Sequence, residues 1–124
     1  MSYHKRYEDS YLDEDDDEFA GGDMPDGEKI VILLKRENRS QKDDALIQKL
    51  TERLFAGVKM PNPIGAKAVA GIGLVAKTYV LLGIHTSAII LLERLSDTAA
   101  SVGNKDAYYE AMDMIEELGM RNNL

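Results

Sequence analysis

The sequence predicts a mainly α-helical protein, with about four helices in a small helical domain, preceded by one short strand and a disordered acidic N-terminal tail. Apolar residues recur at helical spacing over most of the chain after residue 40. Charge is sorted into three blocks. Residues 1–27 carry ten acidic side chains against two basic ones, residues 28–77 carry ten basic against five acidic, and residues 78–124 carry three basic against seven acidic. We therefore expect a tail over 1–27 and a helical domain over 28–124.

Composition narrows the class of protein before any motif is considered. The chain has 124 residues and no cysteine, which excludes a disulfide scaffold, a thiolate nucleophile and a cysteine-ligated metal site. The polar, acidic N-terminus has no apolar segment behind a basic start, as a secretory signal would have. We expect an intracellular, cytoplasmic protein.

The acidic tail is the first candidate for partner binding. Its many carboxylates and few aliphatic residues predict disorder in the free protein, because little apolar surface is available to offset the ordering entropy. Tyrosines recur every four residues and would share one helix face if a partner induced a helix. The alternative is a solvating tail with incidental tyrosines. The candidate partner-binding residues are Tyr3, Tyr7, Tyr11, Asp15, Asp16 and Asp17.

Alternating aspartates in the tail raise the question of calcium binding. Asp13, Asp15 and Asp17 are spaced like the first ligands of an EF-hand loop. That loop also requires glycine at its sixth position and glutamate at its twelfth, where this chain has Glu18 and Met24. We therefore predict no metal site.

A short apolar run follows the tail. Residues 29–35 read Lys-Ile-Val-Ile-Leu-Leu-Lys and are rich in β-branched side chains, which favours a short buried strand. A lone strand leaves its backbone groups unpaired. The segment must therefore pair with the tail, pair with another subunit, or be helical.

The first predicted helix runs from Ser40 to about Gly57. Ser40 and Asp43 form a capping-box pattern at its start, and Pro61 prevents continuation beyond its end. Charged residues occupy one side of this helix. Its apolar residues have the spacing of a buried face, namely Leu46, Ile47, Leu50, Leu54, Phe55 and Val58.

Three further helices complete the predicted domain. The second should begin with Asn62 as its cap and Pro63 at its first helical position, and should run to about Leu82. The segment 83–87 then interrupts the helical path. The third is expected over 88–101, and the fourth over 105–118 with Asn104 as its cap.

The second predicted helix is apolar on most faces and rich in glycine and alanine. Its small residues, Gly73 among them, predict a close approach of neighbouring backbones, and its excess apolar surface predicts a homo-oligomer. Residues 69–92 are long enough for a membrane span, but Lys77 and the break at Gly83 favour a buried helix. Membrane association is thus the weakest alternative.

The sequence contains no recognisable catalytic constellation, so we predict neither enzyme activity nor a cofactor. His85 has no sequence signal for an orienting acid or a nucleophile. The pair Gly71 and Gly73 lacks the third glycine of a nucleotide-binding fingerprint, because Ala76 occupies that position.

One basic concentration remains, and it supports an alternative function. Phosphate contacts need little more than clustered cations, so the candidate polyanion-binding residues are Lys35, Arg36, Arg39, Lys42, Lys49 and Arg53. The first functional hypothesis is a non-enzymatic interaction or regulatory protein whose acidic tail binds a protein partner. The alternative is a nucleic-acid-associated subunit, of the viral or bacterial DNA-binding or packaging type, whose tail competes with phosphates.

Overall fold

The computed structural model describes residues 24–119, and five α-helices account for most of them. Each helix packs against the next along the chain, and the third contacts all four others. The predicted helical class is confirmed, and residues 24–119 contain five helices where four were expected. The helices are α1 (Asp26–Leu34), α2 (Gln41–Val58), α3 (Ile64–Leu81), α4 (His85–Ser101) and α5 (Lys105–Glu117).

The prediction of a short strand at residues 29–35 is wrong, since this segment belongs to α1 and the structure has no strand within residues 24–119. A strand would place Ile30, Ile32 and Leu34 on one face. Instead Ile32 is 38% exposed, while Leu33 is fully buried beside Ile30 and Leu34. Burial at i, i+3 and i+4 is the pattern of a helix, which also pairs its own backbone groups and so needs no partner strand.

Helix α2 begins as its sequence predicts. The Ser40 hydroxyl accepts a hydrogen bond from the Asp43 amide at 3.0 Å, and the Asp43 carboxylate accepts one from the Ser40 amide at 3.2 Å. The predicted capping box is therefore confirmed. The apolar face that was expected to be buried also lies in the core, with Leu46 and Leu50 completely buried.

The connections between the later helices differ from expectation by a few residues. Pro63 occupies the N-cap position of α3, and no side chain caps that end, so the predicted Asn62 cap does not form. Gly83 has a φ of 81°, a left-handed conformation that glycine adopts readily, and α4 already begins at His85. Asn104 caps α5 as predicted, because its side-chain oxygen accepts from the Ala107 amide at 3.0 Å.

Helix α3 forms the centre of the domain. Ile72, Val75 and Ala76 are buried at the middle of the helix. By length and composition α3 could cross a membrane, yet 39% of it is buried against the other helices. Residues 69–92 do not form one continuous helix, since α3 ends at Leu81 before α4 begins.

A close contact between two helices lies at Gly27 of α1 and Gly71 of α3. A Cβ atom added to Gly27 would lie 2.9 Å from the Gly71 Cα and 3.0 Å from the Gly71 carbonyl oxygen. The two backbones therefore touch without an intervening side chain. Close approach of a neighbour to α3 was predicted at Gly73, but that residue faces the tip of the Met114 side chain.

Candidate functional site

A groove of about 510 Å³ lies where the start of α1, the end of α2 and the first two-thirds of α3 meet. The glycine contact that brings α1 onto α3 forms part of its wall. The groove has an apolar lining and a charged rim. The lining includes Leu54, Gly57, Ile64, Ala70, Gly71 and Leu74.

Small residues produce the concave shape of this groove. Gly57 and Ala68 bring α2 against α3, since a Cβ added to Gly57 would be 3.0 Å from the Ala68 Cβ. Gly71 carries no side chain that would fill the space between α1 and Leu54. Ile64 and Leu74 remain 53% and 40% exposed, so apolar surface is open to solvent along α3. This combination can bind an apolar side chain of a ligand.

An ion pair closes one side of the groove. Arg53 of α2 donates to both carboxylate oxygens of Asp26 on α1, with N···O distances of 3.1 and 3.0 Å. The Lys29 ammonium lies 4.0 Å from the same carboxylate. Asp26 therefore meets two cations, and Glu28 and Lys67 complete the charged rim. The rim thus carries both positive and negative charge. It lies next to Met24, the first residue that the structure describes.

The structure places the predicted polyanion-binding residues at several positions along α1 and α2. Arg36 donates to the Asp43 carboxylate at 2.9 Å, and Arg53 donates to Asp26 as described. Lys35 is exposed, whereas Lys42 and Lys49 are half-buried. The arginines of this basic segment therefore contribute to internal ion pairs, and their charge is partly compensated within the fold.

Arg39 makes a comparable contact near the start of α2. It donates to the Asp44 carboxylate at 2.9 Å and to the Leu34 carbonyl at 3.2 Å, which links the end of α1 to α2. The pKa of the Tyr79 phenol is raised above its usual value, mainly because the side chain is partly buried. The positive charge of Arg39 lowers this pKa, and the negative charge of Asp44 raises it. Arg39 thus has a structural role that its sequence position did not indicate.

A second interhelical ion pair was not predicted. Arg94 of α4 donates to both carboxylate oxygens of Glu52 on α2, at 2.8 and 2.6 Å, and its guanidinium lies 4.0 Å from the Phe55 ring centroid. The hydrogen bond from Arg94 lowers the pKa of Glu52, and the same bond raises the pKa of Arg94. Both side chains are about half exposed, so solvent and salt weaken this pair. No sequence signal relates two residues 42 positions apart.

None of the remaining predicted sites within residues 24–119 forms a cluster of functional side chains. His85 is exposed at the first position of α4. Within residues 24–119, no group of three or more acidic or histidine side chains is arranged to hold a metal ion. The candidate tail residues all lie outside the described residues and stay predictions, as does tail disorder; they are Tyr3, Tyr7, Tyr11, Asp15, Asp16 and Asp17.

The nucleic-acid hypothesis makes a prediction that the full chain can test. Replacing the six carboxylates at positions 13–18 by amides changes the formal charge from −7 to −1. If residues 35–53 bind phosphates, retention on duplex DNA strengthens in this variant and weakens as salt is raised, because bound phosphates release counterions. Neutralising Lys35, Lys42 and Lys49 as well, which leaves the arginine ion pairs in place, should reduce the gain. A variant that ignores DNA even at low salt contradicts the hypothesis.

Comparisons of the chain with protein-family models, with curated proteins and with solved structures give no match.

Proposed function

We propose that this chain is a non-enzymatic interaction protein that binds a basic, amphipathic segment of a partner protein. The groove between α1, α2 and α3 is the observation that carries the proposal. Its mixed-charge rim and apolar lining suit a peptide that places one apolar face inward, as in helix-in-groove recognition. The volume of about 510 Å³ lies within the range of about 300–1,000 Å³ that is usual for ligand pockets.

The position of the acidic tail supports a basic partner. Residues 1–23 carry nine acidic side chains against Lys5 and Arg6, and they join the domain at Met24 and Pro25, the second of which lines the groove. A segment held in the groove would therefore lie beside a high density of carboxylates. Charge complementarity of this kind accelerates association and selects against acidic partners.

Self-association is part of the same proposal. Several large apolar side chains are exposed outside the groove, with Leu81 at 74%, Ile90 at 60% and Tyr109 at 62%. These residues belong to three different helices, α3, α4 and α5. A homo-oligomer that contacts through these side chains would remove such surface from water, and none of the three lines the groove.

The groove proposal is tested with an 18-residue peptide that carries leucines on one helix face and lysines on the other. We expect its binding to perturb the amide signals of Gly57, Ala70 and Leu74 in nuclear magnetic resonance spectra of the full chain. Ala70→Gln adds bulk to the groove without changing charge, and should weaken binding by about five- to tenfold, equivalent to roughly 1 kcal/mol. Ala66→Gln is the matched control, because Ala66 is also exposed on α3 but does not line the groove.

A second peptide, with glutamates in place of the lysines, separates groove binding from simple charge attraction. It should bind more weakly than the lysine peptide, since the tail repels it, yet perturb the same groove amides at high concentration. Equal effects of Ala70→Gln and Ala66→Gln on the lysine peptide would contradict the proposal, because binding would then not involve the groove.

A further inference from the structure

The groove lies where the described chain begins. Met24 packs against the core, and the next four residues line the groove directly. The 23 residues that precede Met24 therefore connect to the fold at the edge of this site. Any segment close to Met24 is held near the groove by covalent connection.

Among the residues that precede Met24, Phe19 is the aromatic residue nearest to it in the sequence. Four residues, Ala20 to Asp23, separate it from Met24, and two of them are glycines. Five residue steps span at most about 16–18 Å, so Phe19 stays within that distance of Met24. The two glycines allow the sharp chain reversal that would bring the ring back to the groove. A short connection also keeps the entropic cost of closure low.

The side chains of this segment also match the chemistry of the groove. A phenyl ring suits a lining of leucine, isoleucine, alanine and glycine, and the carboxylates that precede Phe19 can approach the exposed Lys67 on the rim. Phe19 follows an unbroken run of six acidic residues, positions 13–18.

We propose that Phe19 of the same chain occupies the groove when no partner is bound, so that the tail regulates access to the site. This inference rests on the proposed function of the groove. Linkage by a few residues gives a millimolar effective concentration, so a contact that is weak between separate molecules can still fill the groove substantially. A partner must then displace Phe19. The partner's apparent affinity is therefore its intrinsic affinity multiplied by the fraction of grooves that Phe19 leaves free.

The experiment uses the full chain labelled with 4-fluorophenylalanine, which reports on both of its phenylalanines, Phe19 and Phe55. Loss of one fluorine signal in the Phe19→Leu variant assigns the resonances. In the parent protein we expect the Phe19 signal to differ from that of a free peptide of residues 12–23, and to be protected from a soluble paramagnetic reagent. Ala70→Gln should return it to the free-peptide position, whereas Ala66→Gln should leave it unchanged.

Competition gives the second measurement. Phe19→Ser in the full chain should increase the affinity for the leucine–lysine peptide by about two- to tenfold, since the groove no longer has an internal competitor. A Phe19 signal that is free and unprotected in the parent protein overturns the inference, as does a signal that Ala70→Gln does not move. Peptide binding at the groove together with a free Phe19 leaves the proposed function intact. A protected Phe19 without peptide binding in either form contradicts the proposed function alone.

Discussion

Gly27→Ala is expected to destabilise the domain by about 2 kcal/mol, although alanine is the better helix former by up to about 1 kcal/mol. The new methyl group would lie 2.9 Å from the Cα and 3.0 Å from the carbonyl oxygen of Gly71. Backbone atoms cannot rotate away as a side chain can, so α1 must move off α3. Urea unfolding followed by circular dichroism measures the loss of stability.

The matched control is Gly73→Ala on the same central helix. Its methyl group would meet the Cε and Sδ atoms of Met114 at 2.8 Å, which are the end of a flexible side chain. We expect Met114 to rotate and the gain in helix propensity to remain, so that stability is unchanged or slightly raised. Equal destabilisation by the two substitutions would contradict the view that α1 and α3 touch through their backbones.

The sequence allowed the helical class and most helix ends to be predicted, because these depend on local signals. The Ser40 and Asn104 side chains each accept a hydrogen bond from an amide three residues further on. Such capping patterns can therefore be recognised in the sequence alone. Helix α1 was misassigned because a run of five apolar residues fits a buried strand and a buried helix equally well. Only the exposure of Ile32 beside the buried Leu33 separates the two.

The groove could not be predicted, since it depends on residues that are distant in sequence. Gly27 lies against Gly71, and Gly57 lies against Ala68, but nothing in the sequence says which of these residues meet. The same holds for Asp26 and Arg53, which are 27 positions apart. Arg53 therefore entered the predicted phosphate-binding set, although its guanidinium holds α2 to α1. Charge density along a sequence does not distinguish available cations from those that the fold has paired.

Asp43 is expected to be the most sensitive carboxylate at the junction of α1 and α2. It is 8% exposed, and its two oxygens accept hydrogen bonds from the Ser40 amide and from Arg36. Asp43→Ala leaves both donors without this acceptor and removes one half of the capping box, so we expect a loss of about 2 kcal/mol in unfolding free energy. Calorimetry or urea unfolding provides the measurement.

Two variants separate the causes of that loss. Asp43→Asn retains an oxygen that can accept from the Ser40 amide but removes the charge that holds Arg36, so about half of the effect should remain. Asp44→Ala is the neighbouring control, because its carboxylate is largely exposed and pairs with Arg39 at the surface, where such contacts contribute about 0–1 kcal/mol. If Asp44→Ala destabilises the domain as much as Asp43→Ala, burial and capping do not explain the role of Asp43, and the first turn of α2 depends on its total negative charge instead.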